Sequence, residues 1–381
     1  MGNAWHIWKE EICKIASRRL LWTGLLLFLA FISLRLFSER NYYSVTIDGQ
    51  SYRGQEAITK DQELTAGYAG ILTEEKVRQI YEDFGFSYYD ENADVKSGNF
   101  CSEFITTNMT NYNQIAENGH TGASADQNIQ FLQGEAWDQK AAPLLNGTVR
   151  FDYAYGWNDL KEIYSITMMI AVFILFIIGL SPVFSEEYML RTAAILLTTQ
   201  HGKRSCIWLK MSAALSFVTL LYTAVSVYLW LIYRNVYGTQ GLDASPALIG
   251  ITPAAYCPAD IRTFFLLSFG LGLAGMLLLT SITLAVSALC RNSFLTVVIS
   301  LALFLLPYAW LQFLAALLAP FLNRTVLQVL SHIMVSMPVY LPVNWGFSFS
   351  AGEIRIHLAI ALIAGGMCLL GGYKKFRNDQ G

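Results

Sequence analysis

The sequence predicts an all-α polytopic membrane protein with six transmembrane helices. A small extracellular α+β domain is inserted between the first and second. Three observations carry this. Hydrophobic residues make up 54% of the 381 positions and charged residues only 14%, against about a quarter in soluble domains. The mean hydropathy is +0.40. Six stretches reach the length of about 20 apolar residues that a helix needs to cross a bilayer. They cover 20–37, 163–183, 211–233, 263–289, 294–319 and 354–373.

The first stretch follows Arg18 and Arg19, as the apolar core of a signal peptide would. SLRLFSER comes next, with large and charged residues where a cleavage site would need small ones, so a retained span is expected. Before it, residues 1–19 place Trp5, Trp8, Ile12 and Ile15 near one helical face. Lys9, Lys14 and Arg18 lie largely away from that face. This is the pattern of an amphipathic helix lying in the membrane interface.

Charge sets the topology. Lys9, Lys14, Arg18 and Arg19 precede the first span. Arg191, Lys203, Arg204 and Lys210 stand in the 184–210 loop, Arg291 in the tight turn 290–293, and Lys374, Lys375 and Arg377 in the tail 374–381. These segments alternate in phase. The positive-inside rule therefore puts all four, and both termini, in the cytoplasm of a cell whose plasma membrane the chain crosses. Segments 38–162, 234–262 and 320–353 then face outward.

The 38–162 segment has about twice as many Asp and Glu as Lys and Arg. SVTIDGQSYRG alternates around Asp48-Gly49, a hairpin signal. TEEKVRQIYEDF reads as a helix capped by Thr73, with Glu74 and Glu75 complementing its dipole. Residues 320–352 are apolar but broken by Pro320, Pro338 and Pro342, which fits short re-entrant helices covered by protein or water. The six cysteines form no CxxC pair. Cys101 and Cys257 both fall in outward segments, where either a disulfide or two unpaired thiols is open.

Most catalytic chemistry is excluded. HGKR at 201–204 resembles the end of a phosphate loop, but Arg204 stands where Ser or Thr must follow the lysine. Leu197 stands where the first glycine is required. No ATP site of that kind exists in this chain. The five histidines form no HxxxH or HExxH, and no GxSxG marks a nucleophile, so neither a metal nor a catalytic residue is expected. The interiors of spans two to six lack acidic and basic residues, which ion-coupled carriers usually place there. If the chain moves something against a gradient, the energy should enter from elsewhere, and a solvent-exposed inner loop is one port for it. Nothing points to nucleic acid.

That loop carries a resemblance. Phe184, Glu186 and Glu187 follow the second span, then ILLTT at 195–199, then Gly202, Arg204 and Lys210. Order and spacing are similar to the permease subunit of type-2 ABC exporters. One departure stands out: YMLRT replaces the glycine often found soon after the glutamate. The resemblance implies a dimer with an identical or paralogous permease, set in membrane lipid. It also implies a separate ATP-binding cassette subunit that holds ATP and Mg, with no cofactor in this chain. It assigns Glu186, Glu187, Arg191, Lys203, Arg204 and Lys210 to a coupling helix seated on that subunit. Closure of the two ATPases would then tilt spans one, two and five. Within the short helix, the two acids would favour the positive dipole end, and Lys203 and Arg204 the negative end. Large outer domains like 38–162 resemble those of permeases from Gram-positive bacteria, some of which export peptides, antibiotics or ions. A ligand-binding sensor or immunity protein that uses the outer domain is the competing reading.

Overall fold

The computed structural model describes residues 2–47, 49–89, 96–117, 129–164, 169–198, 205–251, 259–335 and 351–378. It divides into two compact units. One comprises Met1–Ala30, Ile163–Tyr228 and Leu267–Gly381. The other comprises Phe31–Glu162 and Leu229–Leu266.

Among the described residues, five helices are long and apolar enough to cross a membrane: Arg19–Tyr42, Ile170–Met189, Ile207–Tyr237, Ile261–Leu289 and Ile354–Asn378. The fifth expected span, 294–319, is not one regular α-helix. Its α-helical part, Ser293–Ala309, is 17 residues long and contains Pro307. A π-helical turn, Trp310–Leu314, and a short helix, Ala315–Leu318, follow. Pro307 has no N–H to donate and its ring crowds the carbonyl one turn back, so the ladder widens just beyond it. In the segment expected to be re-entrant, Arg324–Val335 is helical, and 336–350 lies outside the described residues.

The membrane unit is tied together by hydroxyls as well as by apolar packing. Within Ile170–Met189 the hydrogen-bond ladder is interrupted at Ser181, between Met169–Leu180 and Pro182–Met189, because Pro182 has no N–H to continue it. A new helix, Pro182–Met189, starts there with unpaired N–H groups, as every helix does. Ser287 Oγ accepts from Phe184 N at 3.0 Å and Ser185 N at 3.1 Å, and donates to the Ser181 carbonyl. Ser185 Oγ meets Ser293 Oγ at 2.8 Å. Phe184, fully buried, packs on Phe376 with ring centroids 4.8 Å apart. The segment that follows therefore leaves from a fixed point.

The second unit contains the inserted α+β segment. The expected hairpin is present: Ser44–Ile47 pairs antiparallel with Gln50–Arg53, Ser44 opposite Arg53. The expected helix runs Glu74–Phe84, and its Thr73 side chain accepts from Lys76 N as an N-cap. Two further strand pairs, Gly70–Ile71 with Arg150–Phe151 and Tyr88–Tyr89 with Lys96–Ser97, are each two residues long. Phe100, Phe104, Phe151, Tyr153 and Trp157 are buried in its core. Asp61 is buried there. It accepts from Phe100 N at 3.0 Å and from the Tyr43 hydroxyl, so its charge is not left without donors.

Two polar features mark this unit. Arg35, inside the first span, pairs with Asp159 at 2.7 Å, and Tyr233 donates to the same carboxylate. A charge at that depth needs such a partner. Cys101 is a free, fully buried thiol that donates to Thr65 Oγ1, and burial pushes its pKa up to about 12. Cys257 lies outside the described residues.

Candidate functional site

The charged loop begins as two short helices, Pro182–Met189 and Thr192–Thr198. This corrects the expected dipole arrangement. Glu186 and Glu187 fall in the last turn of the first helix, at its negative end, rather than opening the second. That position costs about 0.3–1 kcal/mol per carboxylate in an exposed helix. Nearby cations offset it.

Lys210 is the centre of the arrangement. Only 2% exposed, its ammonium reaches Glu187 at 2.7 Å, Glu11 at 3.0 Å and the Val183 carbonyl at 3.3 Å. Three acceptors match the three donors of an ammonium, which is what a buried lysine requires. Glu187 also accepts from the Thr192 hydroxyl at the start of the second helix. Lys14 joins from the N-terminal helix, 3.0 Å from Glu11 and 3.9 Å from Glu187. Partial burial pulls the Lys14 pKa down. Its hydrogen bond and attraction to Glu11 outweigh that and hold it above the ordinary lysine value. Arg18 pairs with Glu186 at 2.8 Å.

These groups line a cleft of about 390 Å³ within the membrane unit, with Pro182 and Leu190 among its walls. Three acids and three bases meet there, so the cleft carries no net charge to attract a free ion. Its pairings are internal ties. They join the N-terminal helix Gly2–Ala16, the loop helices and the first turn of Ile207–Tyr237. The helix Gly2–Ala16 buries Ile15 and, one turn earlier, Glu11, while Trp5 is 61% exposed.

The expected site residues therefore separate by position. Glu187 and Lys210 are internal. The Glu186 side chain is half exposed. Arg191 is exposed and takes φ +58°, the only non-glycine residue at positive φ among the described residues. Lys203 and Arg204 lie outside the described residues. Glu11, Lys14, Arg18 and Thr192 belong to the same cluster and were not singled out as site residues from sequence. The signal available was weak: an acidic pair, Glu10-Glu11, inside an otherwise basic N-terminal segment.

Arg191 also accounts for the departure at YMLRT. The first helix closes with Leu190 N bonding to Glu186 O at 2.9 Å and Arg191 N to Tyr188 O at 3.1 Å. The residue after such a close takes the left-handed conformation, where glycine is the usual occupant. Arginine here carries a strain of about 1–2 kcal/mol. Arg191→Gly is expected to leave thermal stability unchanged or raise it by up to about 1 kcal/mol. Arg191→Val is expected to lower it by about 1–2 kcal/mol, because a β-branched residue tolerates positive φ least. Melting curves of the full chain in detergent compare the two.

The comparison that decides the family covers nearly all of the chain. A family model described as an ABC-2 family transporter protein matches residues 4–347. The chain belongs to the ABC-2 transporter family. It is the permease of an ABC transporter, a multi-pass membrane protein of transport, and its family works with an ATP-binding subunit. No curated protein and no solved structure matches this permease.

Proposed function

We propose that this permease moves its substrate outward across the plasma membrane, driven by a separate ATP-binding subunit that holds ATP and Mg and docks on the 184–210 loop. The carrying observation is the contrast between the inner and outer faces of that loop. Glu187 faces inward onto Lys210, while Leu190, at the bend between the two helices, is 66% exposed and Ile195, within the second helix, is 68% exposed. Exposed apolar residues on a firmly tied element suit a seat in a partner's groove. A push on Leu190 or Ile195 would reach the N-terminal helix and the start of Ile207–Tyr237 through Glu187, Lys210 and Glu11. Both termini would be cytoplasmic, and a second permease would complete the transporter. Glu186 and Arg191 would edge the docking face, with Lys203 and Arg204 further along the loop. Glu187 and Lys210 would transmit the push rather than touch the partner.

Copurification from native membranes tests this reading. The tagged permease in mild detergent is expected to bring an ATP-binding subunit in stoichiometric amount, more firmly with a non-hydrolysable ATP analogue. Leu190→Asp with Ile195→Asp is expected to lose at least about 90% of it, since two charges would enter an apolar contact at more than 1.4 kcal/mol together. Unchanged recovery of the ATPase in that variant would refute docking at this bend. A ligand-binding sensor is the second reading, and the groove described next is the feature that favours it.

A further inference from the structure

We infer that the α+β segment carries a binding groove for a cationic, aromatic-bearing peptide segment. The groove has a volume of about 410 Å³ and lies between the helix Glu74–Phe84 and the residues around Phe131 and Trp137. That is the size range of sites that take a few side chains or a small ligand. The inference does not rest on the direction of transport or on the ATPase docking face.

Aromatic rings line the groove. Tyr81 lies 5.3 Å from Phe131, centroid to centroid, and Phe131 lies 6.3 Å from Trp137. Phe86 backs Tyr81 at 4.5 Å and Phe131 at 5.1 Å. Tyr81 is 40% exposed. Val77 and Leu132 form the buried floor. Phe131 and Trp137 are half-buried and border the same groove, so the rings are not closed off as a core cluster would be.

The wall is also fixed in place. Leu132 N bonds to Met109 O at 2.9 Å and Asn111 N to Gln130 O at 3.1 Å. Gln130 N in turn bonds to Asn111 Oδ1 at 2.9 Å. Phe131 therefore presents its ring from a strand-like bridge opposite Thr110, so little ordering remains to be done on binding.

Charge chooses the occupant. Glu74 and Glu82 line the groove with one cation, Arg78, which is engaged by Glu74 at 2.7 Å. The lining thus keeps one net negative charge. Over 38–162 there are twenty acidic residues against nine basic ones, so the surrounding field has the same sign. Aromatic faces beside carboxylates attract ammonium and guanidinium groups, at about 0.5–1 kcal/mol per exposed cation–π contact. The same surroundings repel acidic peptides.

The test uses the full chain in neutral detergent and a fluorescein-labelled Lys-Trp-Lys-Phe-Lys peptide, read by anisotropy. Its counterpart with glutamine at every lysine position is the charge control. The cationic peptide is expected to bind at least about five-fold tighter than the control, and to weaken as salt rises. Glu82→Lys is expected to weaken it about three- to five-fold, and Tyr81→Ala by a similar factor. Arg78→Gln is expected to tighten it about two- to three-fold, a change no loss of folding could produce. Glu82 and Arg78 are exposed, so both variants keep the fold. Equal affinity for the two peptides, or an affinity for the cationic one that none of the three variants changes, would overturn the inference.

Discussion

Lys210→Met is expected to destabilise the permease by about 3–5 kcal/mol and to separate its N-terminal helix from the loop that follows the second span. Methionine keeps most of the side-chain volume, so the loss is electrostatic. Glu11 and Glu187, with side chains 8% and 14% exposed, would be left without the ammonium they both hold. Removing one partner of a buried ion pair costs this much because the remaining charges stay desolvated. Lys14 cannot replace Lys210, since it is 58% exposed and 3.9 Å from Glu187. The measurement is the melting temperature of the full chain in detergent, with proteolysis of residues 2–16 as a local readout. A second variant separates electrostatics from packing. Adding Glu11→Gln and Glu187→Gln to Lys210→Met removes the stranded charges and is expected to recover most of the loss. A single variant as stable as the parent would mean that the cluster does not hold these elements together.

Gly241→Ala is expected to have an effect of similar size in the other unit. Gly241 takes φ +79°, and a Cβ there would lie 1.9 Å from the Tyr153 carbonyl oxygen and 2.8 Å from its carbon. Those atoms are backbone, so they cannot swing aside as a side-chain tip would. The loop is pinned where it meets them: the buried Trp157 donates through Nε1 to Gln240 O at 2.6 Å, and Gln240 donates to Asp152 at 3.0 Å. Left-handed backbone strain and the forced shift together are expected to cost about 3 kcal/mol or more. Gly238 is the control. It takes φ +72° but a Cβ there meets nothing within 4 Å, so Gly238→Ala is expected to cost only about 1–2 kcal/mol. Hydrogen exchange of residues 150–160 in the full chain reads the difference. Equal effects at the two glycines would remove the close approach as the cause.

Local signals were readable from the sequence and long-range pairings were not. Thr73 caps its helix across three residues, and the strands Ser44–Ile47 and Gln50–Arg53 pair within ten. Both depend on neighbours that sequence spacing displays directly. The span positions follow from apolar length, which the bilayer fixes. Pro307 could have signalled the irregular fifth segment, but apolar length alone reads straight through it. The Lys210 cluster is of another kind. Lys210 and Glu11 are 199 positions apart, and each has an ordinary local explanation, as a positive-inside cation and an interfacial acid. Only the packing of three segments makes them a unit. The two-helix form of the loop turns on Arg191, which carries none of glycine's usual mark for a left-handed turn. Dipole reasoning therefore assigned Glu186 and Glu187 to the wrong helix end. The aromatic groove was likewise hidden, because Tyr81, Phe131 and Trp137 come from separate segments.

The central claim is that the bend at Leu190–Ile195 touches the ATP-binding subunit while Lys210 ties that bend to the rest of the membrane unit. The most direct measurement places a photo-crosslinking amino acid at Ile195 in native membranes and identifies the adducts by mass spectrometry. The same amino acid at Leu220, 65% exposed on an apolar helix, serves as the control. An adduct with an ATP-binding subunit from Ile195 and none from Leu220 is the predicted result. An ATP-binding subunit that copurifies yet never crosslinks to Ile195 would contradict the account.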